Sequence, residues 1–386
     1  MTRKERDLDA RRKRFIKDLL KKDLKDLKFC VLGAGHGGLA MAAHLALKGF
    51  KVNLYNRGRR KLHPVQHRKG IRVEGAIQGF GRIEVASKNI KECLEDVDVL
   101  MVAIPANGHR FIARTCAPYL EERHIVVLNP GRTGGALEFY ATLKQEGLKK
   151  FPFIAEAQTF IYASRSIGPA HSKIFSIKNS VPLATLPAYW IPGVLKVITR
   201  AYPQFVAGDN IFKTSFDNIG AVFHPALTIL NAGWIEETHG DFEYYIQGAS
   251  PSICRVLEKI DKERMEVAAA LGIKATSARS WLYTAYSASG KDLYESIHDN
   301  PGYLGITAPD RLHHRYIEED VPMSLVPLAS IGEMLKVETP AIRALIHLAS
   351  IMRGRDFWKE GRTVEKLGIK GMSVKDIRLL AVAGEI

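Results

Sequence analysis

The 386-residue chain has only four cysteines, Cys30, Cys93, Cys116 and Cys254, all far apart in sequence. No C-x-x-C pair exists, so neither a zinc ribbon nor a dithiol redox pair is encoded. Free thiols in a reducing compartment are expected. No run of eighteen apolar residues is present, which excludes a spanning helix of ordinary length. The first residues are charged from position three and lack the apolar core of a signal peptide. A cytoplasmic protein with no membrane association is the expectation. Negative charge is also scarce: 56 Lys/Arg face 41 Asp/Glu, a formal net charge of +15. No zinc-finger or RNA-recognition pattern accompanies this excess, so nucleic acid is not expected as a main partner. Anionic small molecules suit a basic surface equally well. With 46% hydrophobic and 25% charged residues, the chain reads as globular and long enough for two domains.

Residues 1–28 hold twelve Lys/Arg and six Asp/Glu. Phe15, Ile16, Leu19, Leu20, Leu24 and Leu27 recur there at helical spacing, predicting a basic amphipathic helix. Its stripe is expected to dock on the body or on a second subunit, and points to a homodimer. From Lys28 the texture changes. Short apolar strands, "KFCVLG", "KVNLYN", "VDVLMVAIP", "HIVVLNPG" and "FPFIAEA", alternate with helical stretches, as in a doubly wound parallel sheet. Beyond about residue 195, long helical segments replace the strands. The expected organisation is an arm (1–28), a Rossmann-type α/β domain (29–195) and an all-α domain (196–386).

"VLGAGHGGLAMAAHLALKG" (31–49) places Gly33, Gly35 and Gly38 in G-x-G-x-x-G order between a strand and a helix. The first glycine allows the sharp turn, the second a close approach of pyrophosphate, and the third tight packing of helix on strand. His36 and Gly37 complete the turn, and the free N–H groups of the helix start face the phosphates. The second strand ends at Asn56, where an NAD site usually carries an acid. Arg57, Arg59, Arg60 and Lys61 follow. A neutral residue beside guanidinium groups suits a 2′-phosphate, so NADP is favoured, with NAD possible. Pro105, at the end of "VDVLMVAIP", is placed to edge the nicotinamide. His109 reads as a helix-start residue. In "LNPGRTGGALEF" (128–139), Asn129, Arg132 and Thr133 are candidates to reach the cleft.

In "IFKTSFDNIGAVFHPALTILNAGWIE" (211–236), Pro225 interrupts a helical run beside His224, with Asn231 two turns on. In "RLHHRYIEEDVPMSLVP" (311–327), Pro322 puts Asp320 at a helix end. His313 and His314 lack a third ligand at suitable spacing, and no metal site is expected.

Taken in order, "VLGAGHGGLAMAAHLALKG", "VAIPANGH", "LNPGRTGGALEF", "EAQTFIYASR", "HPALTILNAG" and "RYIEEDVP" resemble the octopine/nopaline (opine) dehydrogenase family across residues 29–370. The resemblance implies a Rossmann domain followed by a helical domain, with the active site in the cleft between them. It further implies NAD(P)H-dependent reductive condensation of a 2-oxo acid with the amine of an amino acid. It maps the catalytic histidine onto His224 and its acidic partner onto Asp320. Arg315 would then hold a substrate carboxylate, and Thr159 would line the substrate site. The arm lies outside the resemblance. Two other readings of the same architecture are a 2-hydroxy-acid or sugar-phosphate reductase and a non-enzymatic dinucleotide sensor. The reductases generally rely on a lysine in the helical domain, and none stands beside His224.

Overall fold

The computed structural model describes residues 3–384. The described residues divide into two compact units: 3–131, 135–214 and 379–384 form the first, and 132–134 and 215–378 the second.

The first unit carries twelve strands: β1 (Lys28–Leu32), β2 (Lys51–Tyr55), β3 (Gly70–Gly75), β4 (Gly79–Arg82), β5 (Val85–Ser87), β6 (Val99–Val102), β7 (Ile125–Leu128), β8 (Phe153–Ala157), β9 (Tyr162–Gly168), β10 (His171–Ile177), β11 (Val181–Leu186) and β12 (Phe205–Ala207). Eight form one sheet in the order β12-β11-β8-β7-β6-β1-β2-β5. The β5-to-β8 portion is parallel throughout, whereas β11 runs antiparallel to β8. Every residue of β6, β7 and β8 is buried, as expected of parallel strands covered on both faces. This is the doubly wound, Rossmann-type arrangement.

A second sheet, β4-β3-β10-β9, was not expected. It packs on the helix His36–Leu47, whose residues Gly38–Leu45 are all buried. That burial explains why "GLAMAAHLAL" is apolar all round, since a helix covered on every face has no solvent side to make polar. Gly81 allows this approach: a Cβ there would lie 2.6 Å from the Ala43 carbonyl oxygen.

The boundary expected near 195 falls instead at Thr214/Ser215. The reason is that β11 and β12 extend the large sheet, and the helix Ile191–Ile198 between them packs on both. The arm is likewise part of the first unit. Its helix, Arg3–Lys21, buries Ile16 and Leu19 in the core, each contributing about 1.5–3 kcal/mol. Arg200 donates to the Leu19 and Lys22 carbonyls at the helix end (3.0 and 2.6 Å), and Lys22 meets buried Asp98 at 2.7 Å. Of the stripe, Ile16, Leu19 and Leu27 are buried within the chain, whereas Leu20 and Leu24 stay exposed.

The second unit is helical; its one strand-like feature among the described residues is an isolated bridge, Glu243 to Thr307. The run expected as one kinked helix is three: Ile211–Phe216, Gly220–Leu230 and Ala232–Thr238. Asn231 joins the last two and donates from Nδ2 to the Leu227 and Gly248 carbonyls. Among the described residues, no helix is long and apolar enough to cross a membrane. All four cysteines are buried and free.

Candidate active site

In the first unit, the glycine turn fits a dinucleotide on steric grounds. Gly33 has φ +118°, a region that disfavours side chains, and a Cβ there would meet Ile104 at 2.5 Å. A Cβ on Gly38 would lie 1.8 Å from the Gly33 carbonyl oxygen, so only hydrogen fits. At Gly35 a Cβ would meet nothing within 4 Å, which leaves open space at the helix start. Gly37 accommodates the Phe160 ring, which would otherwise be 2.4 Å from a Cβ. His36 is exposed, and its Nδ1 accepts from the Ser166 backbone N–H at 2.9 Å. Its pKa is lowered by partial burial and by Lys61 and Arg165, so the ring is neutral with its proton on Nε2.

Asn56 ties the second strand to the turn. Its Oδ1 accepts from the Ala34 N–H (3.1 Å) and its Nδ2 donates to the Gly58 carbonyl (2.9 Å). Arg57 and Arg59 are exposed, with Arg57 over the Phe111 ring at 5.4 Å. Pro105 is exposed just beyond β6, while His109 is fully buried at the start of the helix His109–Cys116. Asn129 is buried and donates to the Val127 carbonyl (2.8 Å). Thr159 accepts a hydrogen bond from Lys178 Nζ (2.7 Å).

The second unit brings His224, Asp320 and Arg132 together. His224 Nδ1 is 2.9 Å from Asp320 Oδ2, and Asp320 is fully buried. The other carboxylate oxygen, Oδ1, faces Arg132 Nη1 at 3.3 Å as an ion pair. Arg132 Nε also lies 3.4 Å from Glu319. Tyr316 stacks on the imidazole at 4.1 Å and 19°. Gly220 makes room on the Nδ1 side, because a Cβ there would stand 3.1 Å from that nitrogen and 3.2 Å from Arg132. The His224 carbonyl accepts from Thr228 Oγ1 (2.8 Å) and Tyr244 Oη (2.9 Å), fixing the backbone beside Pro225. The imidazole keeps 15% exposure, and its Nε2 has no hydrogen-bond partner among the described residues.

Burial alone would raise the Asp320 carboxyl; the Arg132 charge, the His224 hydrogen bond and Arg315 outweigh it and hold it below the ordinary range. Burial lowers the His224 pKa, Asp320 opposes that, and the Arg315 and Arg132 charges add to it. The resting pair is therefore carboxylate plus neutral imidazole, with the proton on Nδ1 and a lone pair on Nε2. Arg315 is exposed, lies over the Tyr316 ring at 5.3 Å and forms no ion pair among the described residues. That leaves its fork free for a carboxylate.

The acids of "EED" diverge. Glu318 pairs with Arg353 (2.7 Å), Arg355 and His313 (3.3 Å), Glu319 with Arg132, and Asp320 with His224. Tyr316 and Tyr244 carry no sequence signal of their role. Arg132 was visible as a residue of a glycine-rich turn, without its link to Asp320.

Residues 207–353 match a family model described as NAD/NADP octopine/nopaline dehydrogenase, alpha-helical domain. Residues 28–130 match the NAD-dependent glycerol-3-phosphate dehydrogenase N-terminus. An opine dehydrogenase of Arthrobacter sp. (strain 1C) is 38% identical over 351 residues, spanning 91% of this chain and 97% of that protein. The chain belongs to the octopine/nopaline dehydrogenase family. As an opine dehydrogenase it is an NAD(P)-dependent oxidoreductase. The fold agrees with solved opine dehydrogenases. Octopine dehydrogenase with NADH and L-arginine gives a TM-score of 0.76 at 19% identity, covering 91% of this chain and 97% of that one. Yersinopine dehydrogenase with NADP+ gives 0.68 at 14% identity, covering 92% and 97%.

Proposed function

We propose that this opine dehydrogenase joins a 2-oxo acid to the amino group of an amino acid, with His224 and Asp320 as its acid/base pair and NADPH as the preferred reductant. The observation that carries the acid/base assignment is the 2.9 Å contact from His224 Nδ1 to a fully buried Asp320. When bound, the reduced nicotinamide supplies a hydride to the carbon of the substrates' imine. Before that, the carbinolamine loses water, and protonated His224 gives its Nε2 proton to the departing hydroxyl. In the oxidative direction the neutral ring takes a proton at Nε2 from the substrate amine. Asp320 holds the Nδ1 proton and stabilises the imidazolium, as the acid of a hydrolytic triad does. Arg315 grips a substrate carboxylate through two parallel hydrogen bonds. Thr159 and Asn129 are assigned to the substrate side, and Gly33, Gly35, His36, Gly37, Gly38 and Pro105 to the cofactor.

Two features support NADP. The Asn56 amide is already engaged on both ends by the turn, and Arg57 and Arg59 stand exposed beside it.

The test is a panel of amino acids against pyruvate and 2-oxoglutarate, following NADPH and NADH absorbance. Oxidation should require the amine. Amine-independent oxidation would assign a hydroxy-acid reductase instead. His224→Ala should abolish turnover and leave NADPH affinity nearly unchanged; full activity would remove the histidine from the mechanism.

A further inference from the structure

The first unit holds a cavity of about 710 Å³ at the amino ends of β7 and β8. The glycine turn, Pro105 and Asn129 all follow the carboxyl ends of strands, so this is the other edge of the sheet. Its wall joins the N-terminal helix, the segment before β8 and residues 380–384. The size is that of a small-molecule site.

Its lining is aromatic and aliphatic with one buried cation. Tyr189, Trp190, Leu380 and Val382 supply the apolar surface, and Arg12 is 8% exposed. Arg12 Nη2 donates to the Phe151 and Pro152 carbonyls at 2.6 and 3.4 Å, and the guanidinium lies 4.9 Å from the Phe153 ring. Its Nε is buried and has no hydrogen-bond partner among the described residues. Among the described residues, no carboxylate lies within ion-pair distance of it. Of the two carboxylates of the wall, Glu122 pairs with Arg11 (2.9 Å) while its charge also reaches Arg12, and Asp9 pairs with Lys13 through one oxygen (2.8 Å). Lys149 and Lys150 stand exposed on the same wall and form no ion pair among the described residues. Buried charges are ordinarily paired, and among the described residues Arg12 forms no ion pair.

We propose that this cavity binds a small monocarboxylate with an apolar tail, its carboxylate on Arg12 and its tail against Tyr189, Trp190 and Val382. The site is separate from the proposed chemistry, so it stands or falls independently of that reading.

The probe is decanoate, titrated calorimetrically into the full-length protein with saturating NADPH and pyruvate present. Decanoate should bind one-to-one with a Kd below about 1 mM, and decylamine at least about tenfold more weakly. Arg12→Gln should weaken decanoate by about tenfold or more, the loss of a charge-assisted contact. Val382→Trp, at a rim position 52% exposed, should also weaken it while melting temperature and turnover stay as in the parent. If Arg12→Gln fails to fold, the rim variant and the decylamine comparison still decide. The proposal is overturned by equal affinity for decylamine, by unchanged binding in Val382→Trp, by displacement with pyruvate or by absence of saturable heat. A dimer in sedimentation that blocks decanoate would assign this face to a second copy, and would overturn it too.

Discussion

Asp320→Asn tests the acid/base pair with the smallest change in shape. Asp320 is fully buried, with one oxygen 2.9 Å from His224 Nδ1 and the other 3.3 Å from Arg132 Nη1. An asparagine must place its NH₂ on one of these two sides. Facing Arg132, donor meets donor beside a cation. Facing His224, the NH₂ needs a lone pair on Nδ1 and drives the ring proton to Nε2, where the lone pair is required. Either orientation spoils something. The expected loss in kcat is about 10²–10⁴-fold, or about 3–5 kcal/mol of barrier. The folded state should lose about 3 kcal/mol, because one side of Arg132 loses its counter-charge. The pH profile gives a second readout. Asp320 raises the His224 pKa against burial, so its removal moves the acidic limb of kcat/KM for opine oxidation to lower pH. In the parent that limb lies below pH 6.5, because burial holds the imidazole below its ordinary value. The assay is kcat and kcat/KM against pH, with NADPH affinity by fluorescence as the control. A variant within about threefold of parental kcat, with an unmoved limb, would refute the pairing argument.

Arg315→Ala should raise the KM for the oxo acid by about tenfold or more and leave that for NADPH nearly unchanged; a mainly cofactor-directed defect would remove Arg315 from the substrate site. Replacing Arg57 and Arg59 together with alanine should raise the KM for NADPH by about 10–100-fold with little effect on NADH, and equal effects on both would show that no 2′-phosphate is held there. Stability should fall on acidification between pH 6.5 and about 4, read by denaturant midpoints against pH. Burial lowers the folded pKa of His44 and of His124 to about 4, so the unfolded chain takes up protons first as pH drops through 6.5. Each contributes a loss on the order of 3 kcal/mol, complete below its folded value. A flat profile down to pH 4 would contradict the buried, neutral state of these rings.

The glycine turn was legible because each glycine answers a separate steric demand at fixed spacing. β1, β2, β6, β7 and β8 were legible as continuous apolar runs. The small sheet was not. β4 is "GFGR", two glycines in four residues, and β10 carries bulges against β9. The usable signals were indirect. One was the all-round apolarity of the helix 36–47, which demands a second covering layer. The other was the period-two alternation of exposed and half-buried residues along β9 after buried Tyr162. In the helical unit Pro225 drew attention to His224, and the family resemblance supplied Asp320 and Arg315. Which acid of Glu318, Glu319 and Asp320 meets the histidine is a three-dimensional fact. The chain turns from the short helix Arg315–Glu318 into the wide turn Val321–Leu325, and successive side chains leave in different directions.

The charge count of that cluster explains how one residue serves as both acid and base. Arg132 lies between two carboxylates, Glu319 and Asp320. Without a charge on His224 the group carries a formal −1; with the imidazolium it is neutral. Burial pulls the ring toward the uncharged form, and the uncompensated carboxylate pulls it toward the charged one. Removing Arg132 would take one positive charge away from the histidine and leave Asp320 without its cation, pushing the His224 pKa up and favouring proton retention over release. Moving Asp320 away would leave burial unopposed, and the ring could no longer hold a proton to give. The arginine in the glycine-rich turn, some ninety residues before the histidine, thus sets the balance that the reaction needs in both directions.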